Sequence, residues 1–398
     1  MPISFTRAAL VLGLLAVGGP VAIDTYLPAL PSIATDLGTS PTGVQMSLMA
    51  YFLAIAMFQP VYGPLSDMYG RRAPLLLGTV VFTLGGIGCA VAPNIETLIA
   101  LRFVQGIGGC AAMIIPRAVV RDLYTGVPAA RLMALMMLVF SIGPIVAPFI
   151  GSVINEVAGW RMIFVFVAAV GIASIGVLLT GLPETRDSSR RAGSNLRSAM
   201  ANYAEQMKDG HFMALALVAG GAIAGFFTFV AGSSFVFIDH FGFTPMQYSI
   251  AFSFNAVGFF SVAQLNGYFG ARIGLANLVR IASTVYWVLM VLLTGYFVLG
   301  GDSVVVMMAG LWLAFASLGL VMPGSAVLAL DRYGHAAGTA SSLLGSVQFG
   351  TGAAAVGVMS LAGRGEPLPM IATIAGFSTL VFVMAQLVLS QPREAAVE

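Results

Sequence analysis

Twelve apolar stretches of about 20 residues run along this chain of 398 residues, and polar connections separate them. A helix of that length crosses roughly 30 Å of hydrocarbon, so each stretch predicts a membrane span. The pattern therefore predicts an all-α membrane protein with 12 transmembrane helices. The predicted spans cover roughly residues 7–31, 43–64, 74–92, 95–118, 131–154, 161–181, 211–236, 247–268, 276–299, 303–328, 337–361 and 367–389.

The longest polar stretch, Glu184 to Gly210, lies between the sixth and seventh predicted spans. It predicts an N-terminal six-helix bundle over residues 1–183, a cytoplasmic linker over 184–210, and a C-terminal six-helix bundle over 211–398. Within the linker, Asn195–Lys208 has the composition either of an amphipathic helix on the membrane surface or of a solvated connection.

The two halves look like repeats. The Gly63–Gly70 connection has a weaker counterpart at Gly267–Gly274, an offset of 204 residues. The same offset places Thr228 opposite Asp24 and uncharged residues opposite the other charged positions. We expect two pseudo-symmetric six-helix bundles with a midplane site between them, an architecture typical of transporters.

Composition and charge support a membrane protein. The chain is 59% hydrophobic and 9% charged, whereas soluble domains carry about 25% charged residues. With the N-terminus inside, most of the 18 basic residues fall on the cytoplasmic side, as the positive-inside rule requires. Both termini are then cytoplasmic. Cys89 and Cys110 lie inside apolar stretches, which predicts neither a disulfide framework nor a metal site.

Asp24 is the carboxylate that the pattern places well inside a span. An ionisable group in hydrocarbon is costly unless it is paired or faces water, so it predicts a functional site. We expect Asp24 to line a central cavity. The alternative is a carboxylate that reaches the outer interface, because Arg7 at the cytoplasmic end places Asp24 roughly 25 Å along the helix.

The connection between the second and third spans carries Gly63, Asp67, Gly70, Arg71 and Arg72 in the pattern G-P-L-S-D-M-Y-G-R-R. Glycines permit a tight connection, Asp67 could cap a helix, and Arg71 could pair with a neighbouring carboxylate. An ordinary basic loop is the alternative.

The fourth span ends with Arg117, Arg121 and Asp122 at the cytoplasmic face. We expect Asp122 to pair with Arg71, and Asp67 to pair with Arg117 or Arg121, as ionic latches of the inner gate. Leu182–Thr185, after the sixth span, is interpreted only as a topological marker.

Arg102 lies inside the fourth span, in the pattern Arg102-x-x-Gln105-Gly106. An embedded arginine needs a partner, and Asp24 is the nearest candidate in chemistry. The competing interpretation is that Arg102 braces backbone carbonyls and polar groups between helices.

The fifth span carries Gly143, Ala147 and Gly151 at intervals of four residues, a small face for close helix packing. Pro144 and Pro148 kink the same helix. We expect a hinge here that serves gating, although a generic packed helix with prolines has the same pattern.

Candidate ligand-binding residues are scattered over several spans. Aromatic and methionine side chains can repack around varied apolar ligands, and isolated polar groups can orient them. Such residues also often face lipid. The candidates beside Asp24 are Tyr26, Tyr51, Met137, Phe226, Phe227, Asn255 and Gln348.

The loop motif and the patterns of the fourth and fifth spans together resemble the major facilitator superfamily. The Ala22–Pro31 stretch, Arg121–Tyr124 and Ala147-Pro148 further resemble the bacterial bicyclomycin and chloramphenicol resistance (Bcr/CflA) group of drug:proton antiporters. The resemblance implies export of amphipathic drugs in exchange for protons, with Asp24 as the first-span acidic residue. Leu14–Val17 are apolar where related exporters sometimes carry a second carboxylate.

We therefore expect a monomeric multidrug:proton antiporter of the bacterial inner membrane that binds small-molecule drugs, protons and lipid, without a cofactor, a metal or nucleic acid. A proton-coupled exporter of an endogenous sugar or amino acid is the alternative. An enzyme finds little support, because His211, His240 and His335 lie in loops or at span ends without a nucleophile–base pattern. A non-transporting sensor is a further alternative.

Overall fold

The computed structural model describes residues 4–187, 191, 196–362 and 365–390, and these form helices joined by short connections. Proline, glycine and polar caps set the helix ends, as at Ser40, whose hydroxyl accepts the Gly43 amide before Pro41. The α-helices are α1 Phe5–Asp24, α2 Leu30–Asp36, α3 Pro41–Tyr69, α4 Arg72–Ala90, α5 Ile95–Leu123, α6 Gly126–Ala158, α7 Trp160–Gly181, α8 Leu196–Lys208, α9 Gly210–Ser234, α10 Pro245–Ala263, α11 Asn266–Ile273, α12 Leu275–Val298, α13 Val304–Leu330, α14 Ala337–Ala362 and α15 Pro367–Leu389.

Among the described residues, 11 helical segments are long and apolar enough to cross a membrane. The pair α10 and α11 is bent by 42° and completes a twelfth span. The first span continues past α1 to Asp36, and the seventh continues through a π-helical turn to His240. The prediction of an all-α membrane protein with 12 spans is confirmed.

The repeat predicted from the sequence appears in the helix bounds. α3 runs from Pro41 to Tyr69, and the α10–α11 pair runs from Pro245 to Ile273, both displaced by 204 residues. The two halves are therefore pseudo-symmetric. The division of the chain at residues 184–210 into separate domains stays a prediction.

The two ends of the bundle differ in charge and in packing. We call the end that carries Gly70–Arg72 the basic end and the opposite end the far end. The halves meet along α3 and α14, from the Thr42 hydroxyl donating to Ser360 O (2.9 Å) at the far end to Gly63 beside Ser342 nearer the basic end.

The helices α6 and α10 also join the halves, in their far portions. Ser249 Oγ donates to Pro148 O (3.0 Å), and Ser253 Oγ donates to Ile145 O (2.8 Å). Leu138 lies two turns before Ile145 on α6, and Val257 lies one turn after Ser253 on α10, yet they are 53% and 42% exposed. We infer from this exposure that the two faces diverge toward the basic end, and we call the opening between them the vestibule.

The linker helix α8 packs on the protein through Ala199, Tyr203 and Gln206. The Tyr203 hydroxyl donates to Pro60 O (3.1 Å), a carbonyl without an in-helix partner because Pro64 lacks an N–H. Gln206 donates to Thr339 of α14 (2.9 Å). The helical interpretation of this stretch is right for Leu196–Lys208, and the helix bridges both halves. Asn195 lies outside the described residues.

Candidate functional site

The first span breaks at Asp24. Pro28 has no N–H to donate to the Asp24 carbonyl, so the α-helix ends there and continues as a 3₁₀ turn, Leu27–Ala29. The Asp24 side chain is 4% exposed. The carboxylate therefore does not reach the outer interface, and that alternative is wrong for this conformation.

Arg102 is fully buried and caps the end of α1. Its Nη1 donates to Ala22 O (3.1 Å) and to Gln105 Oε1 (2.7 Å). Ala22 O is one of the carbonyls that a helix end leaves unpaired, and a cation there opposes the negative end of the helix dipole. The bracing interpretation is therefore right. The expected Arg102–Asp24 ion pair, with N···O within 4 Å, does not occur among the described residues, because the backbone holds the guanidinium.

Aromatic rings surround the Arg102 guanidinium. Its carbon lies 4.3 Å from the ring centre of Tyr51, 5.0 Å from that of Tyr26 and 5.8 Å from that of Phe164. Such cation–π contacts stabilise a desolvated cation in place of a counter-ion.

Asp24 lies where the two halves meet. Its charge acts on the phenols of Tyr51, in α3, and of Tyr248, in the opposite half. Within the described residues the Asp24 carboxylate has no hydrogen-bond or ion-pair partner, and Tyr51 Oη, Arg102 Nε and Arg102 Nη2 also lack one. Unused hydrogen-bonding groups therefore cluster around a carboxylate without a fixed counter-ion.

The other candidate ligand-binding residues differ in position. Phe227 stacks on Phe52 (4.0 Å between ring centres), which adjoins Tyr51, and Phe226 stacks on Phe259 (5.5 Å). These rings form an apolar layer between the halves, next to the Tyr51–Arg102 group. Their role in binding stays a prediction.

Four of the candidates either bond to other groups or lie apart from this cluster. Tyr26 is buried, with its hydroxyl on Ser47 (2.9 Å). Asn255 is buried and donates to Ala251 O (3.0 Å), and Gln348 is half-buried on α14. Met137 is 41% exposed and lies 14 residues, roughly 21 Å along α6, from Gly151 at the Thr25 level. The structure does not bring Met137 to Asp24, because of this distance along α6.

The Gly63–Arg72 connection holds a buried charge network. Arg71 donates through Nε to Asp122 Oδ2 (2.7 Å) and through Nη1 to Asp67 Oδ1 (2.6 Å) and Ser66 Oγ (2.8 Å). Burial alone would lower the pKa of Arg71, but the Asp122 and Asp67 carboxylates outweigh it and raise that pKa. The predicted Arg71–Asp122 pair is confirmed.

The predicted pairing of Asp67 with Arg117 or Arg121 is wrong. Asp67 pairs instead with Arg71, one helical turn away, and with Arg186 (3.1 Å). The last turn of α3 places Asp67 on the side of the α3–α4 connection. These ion pairs join residues of the first half to one another and to Arg186 in the 184–210 segment, so their role as gate latches stays a prediction.

Glu184 is a site residue that the sequence interpretation missed. Its carboxylate accepts the backbone amides of Arg71 (2.8 Å) and Arg72 (3.2 Å) at the start of α4. Burial raises the pKa of Glu184, but the amides of Arg186, Arg71 and Arg72 outweigh it and hold that pKa below its ordinary value. The Leu182–Thr185 stretch is therefore part of the network and more than a topological marker.

The glycine at position 70 allows this contact. Its φ is +90°, in the left-handed region, and a Cβ there would collide with Glu184 Oε2. Arg72 completes the connection by donating to Leu179 O (2.7 Å) at the end of α7.

The predicted hinge segment of α6 contacts both α1 and α10. A Cβ at Gly143 would lie 2.5 Å from Pro20 Cβ, and one at Gly151 would collide with Thr25 O. On its other side, the carbonyls of Ile145 and Pro148 accept the Ser253 and Ser249 hydroxyls, within the segment kinked by Pro144 and Pro148. Ser249 and Ser253 were missed, because serine in an apolar helix carries no distinctive sequence signal.

Comparison with known proteins identifies the family. The model of the Major Facilitator Superfamily matches residues 11–357. The chain belongs to this superfamily. An uncharacterised transporter of this type from Bacillus subtilis, YdgK, is 36% identical over 85% of this chain and 84% of its own length. The bicyclomycin resistance protein homologue of Haemophilus influenzae is 30% identical over 94% of each chain.

Further similarities agree with this assignment. Relatives at 26 to 27% identity are named for chloramphenicol or multidrug resistance or transport. The solved structure of the nucleoside transporter NupG covers 96% of this chain and 99% of its own, with a TM-score of 0.75 at 13% identity, which establishes the shared fold. The resemblance to the bicyclomycin and chloramphenicol resistance group is confirmed. Superfamily members are transporters, so this chain is a membrane transporter and not an enzyme.

Proposed function

We propose that this transporter exports amphipathic drugs, either chloramphenicol- and bicyclomycin-like compounds or lipophilic cations, across the bacterial inner membrane in exchange for protons. The observation that carries the proposal is Asp24, a buried carboxylate without a fixed counter-ion at the break of the first span, where the halves meet. The relative named for bicyclomycin resistance supports the substrate class.

Basic residues set the orientation in this proposal. Arg71, Arg72, Arg117, Arg121 and Arg186 share the basic end, so the positive-inside rule makes that end cytoplasmic, with both chain termini. The vestibule then opens to the cytoplasm and the described conformation is inward-facing. A drug enters from that side, passes the Phe226–Phe227 layer and competes with a proton for Asp24.

Alternating access then requires two changes. The Ser249–Pro148 and Ser253–Ile145 hydrogen bonds break at the far end, and α6 and α10 approach each other at the basic end. The Arg71 network keeps α3, α4 and α5 together while the first half moves, and it serves as the inner latch once the vestibule closes. A monomer is sufficient for this cycle.

Proton release from the purified transporter in detergent tests the proposal. Chloramphenicol added to the wild type in weak buffer should release protons, and Asp24→Asn should abolish the release. Asp36→Asn is the matched control, because Asp36 lies at the far end of the same span in an ion pair with Arg161. Release that persists in Asp24→Asn would move the coupling site elsewhere. A folded wild type that releases no protons with any drug would favour the metabolite exporter.

A further inference from the structure

Arg117 is an exposed arginine in the last two turns of α5, which forms the fourth span. It lies six residues, about 9 Å, before the end of α5 at Leu123. A guanidinium is costly against lipid, and an exposed arginine on a span usually faces a water-filled cavity.

The direction of Arg117 follows from its neighbours on α5. Arg102 donates a hydrogen bond to Ala22 O of α1. Met113 also faces α1, because its side chain lies 3.7 Å from the position that a Cβ on Gly19 would take. Arg117 follows Met113 by one turn on the same face. Its guanidinium carbon lies 5.9 Å from the ring centre of Phe140 on α6. Arg117 therefore faces α1 and α6, and we place these two helices along the wall of the vestibule.

Arg117 has no carboxylate partner within 4 Å among the described residues. Asp67 and Asp122, the acids nearest in sequence at this end, are held by Arg71 and Arg186. The charge of Arg121, which has the same sign, acts on Arg117. Met137, Leu138 and Val257, which are exposed on α6 and α10 toward the basic end, are apolar.

We infer that Arg117 selects substrates by their charge. It binds a carboxylate, nitro or carbonyl oxygen of a neutral or anionic amphiphile, and it excludes lipophilic cations from the vestibule. A guanidinium offers several donors to such oxygens and repels a permanent cation on the path to Asp24. This inference rests on the proposed function and narrows its substrate class.

Equilibrium binding to the purified full-length transporter in detergent tests the inference, with chloramphenicol as the neutral nitro probe and tetraphenylphosphonium as the cation probe. Arg117→Gln should weaken chloramphenicol binding about 10-fold, as expected for a lost charge-assisted hydrogen bond, and should tighten tetraphenylphosphonium binding. Arg117→Lys should exclude the cation as the wild type does but restore chloramphenicol binding only in part. Arg131→Gln removes a charge near the first turn of α6 and should change neither probe more than about 2-fold.

The outcomes separate the two proposals. If the wild type binds both probes equally well, or Arg117→Gln shifts both in the same direction, the charge-selection role is overturned while drug export stands. If the wild type binds neither probe, the proposed drug export fails, and this inference fails with it. Thermal melts of the variants matching that of the wild type would exclude misfolding as the cause of a change.

Discussion

The Arg102 guanidinium donates to the carbonyl oxygen of Ala22, two residues before Asp24, rather than to the Asp24 carboxylate. Arg102 therefore fixes the end of α1 on which Asp24 sits and leaves the carboxylate without a permanent partner. This arrangement separates two tasks: the arginine holds the broken helix, and the carboxylate remains available to a proton or a ligand.

Replacing Arg102 with alanine should destabilise the folded transporter. The change leaves Ala22 O and Gln105 Oε1 without their donor, and hydrogen bonds to charged groups contribute roughly 1.5–3 kcal/mol each. A thermal melt in detergent should show a clear drop for Arg102→Ala and little change for the control Arg272→Ala, whose exposed side chain lies over Tyr268. Unchanged stability of Arg102→Ala would contradict the capping role.

Gly70→Ala should loosen the α3–α4 connection. The substitution combines a strained positive φ with a clash against Glu184, and a non-glycine residue in this region costs about 1–3 kcal/mol. Gly242 also has a positive φ of +71° but has no side-chain neighbour, so Gly242→Ala isolates the backbone strain. A larger drop in melting temperature for Gly70→Ala than for Gly242→Ala would support the contact with Glu184.

The Glu184 carboxylate should make stability depend on acidic pH. Its pKa is lowered in the folded protein, so its contribution is complete above the ordinary pKa of a glutamate and is lost as pH falls through the lowered value. Melts of wild type and Glu184→Gln should therefore converge as the pH is lowered below that ordinary value. A constant difference in melting temperature at all pH values would show that the contact between Glu184 and the amides of α4 does not depend on the charge of the carboxylate.

Ser249→Ala and Ser253→Ala should favour opening of the far end. Each removes one hydrogen bond between the halves, worth about 1 kcal/mol, which corresponds to about a fivefold shift in the ratio of conformations. Distances between spin labels on the far ends of α6 and α10 would measure the shift. Ser283→Ala is the control, because that buried hydroxyl bonds within its own helix. An unchanged distance distribution in the double variant would contradict a gating role.

Tyr203→Phe should weaken the attachment of the linker helix. The change leaves Pro60 O without a partner, and no backbone amide replaces it because of Pro64. Burial raises the pKa of Tyr203 to about 12, so the hydroxyl remains a donor across the physiological pH range. Faster proteolysis within residues 184–210 should follow in Tyr203→Phe, and the exposed Tyr69→Phe should behave as the wild type. Equal cleavage rates in both variants would show that the hydroxyl does not hold the helix.

The sequence by itself determined the membrane spans, the repeat and the family. The bilayer requires long apolar stretches, and these can be recognised from local composition. The shared fold of the two halves appears in the sequence as the offset of 204 residues. The Arg71–Asp122 pair was also predictable, since a basic loop and an acid at the end of the fourth span share one membrane face.

Only the tertiary structure decided which groups meet. Pro28 ends α1 at Asp24, and the end of the helix leaves the Ala22 carbonyl without an in-helix partner. Arg102 donates to that carbonyl rather than to the Asp24 carboxylate. Glu184 meets Gly70 from a position more than one hundred residues away, and Ser249 and Ser253 meet carbonyls of the other half. These contacts join backbone groups to side chains across distant helices, and backbone groups are the same at every position, so residue types cannot reveal them.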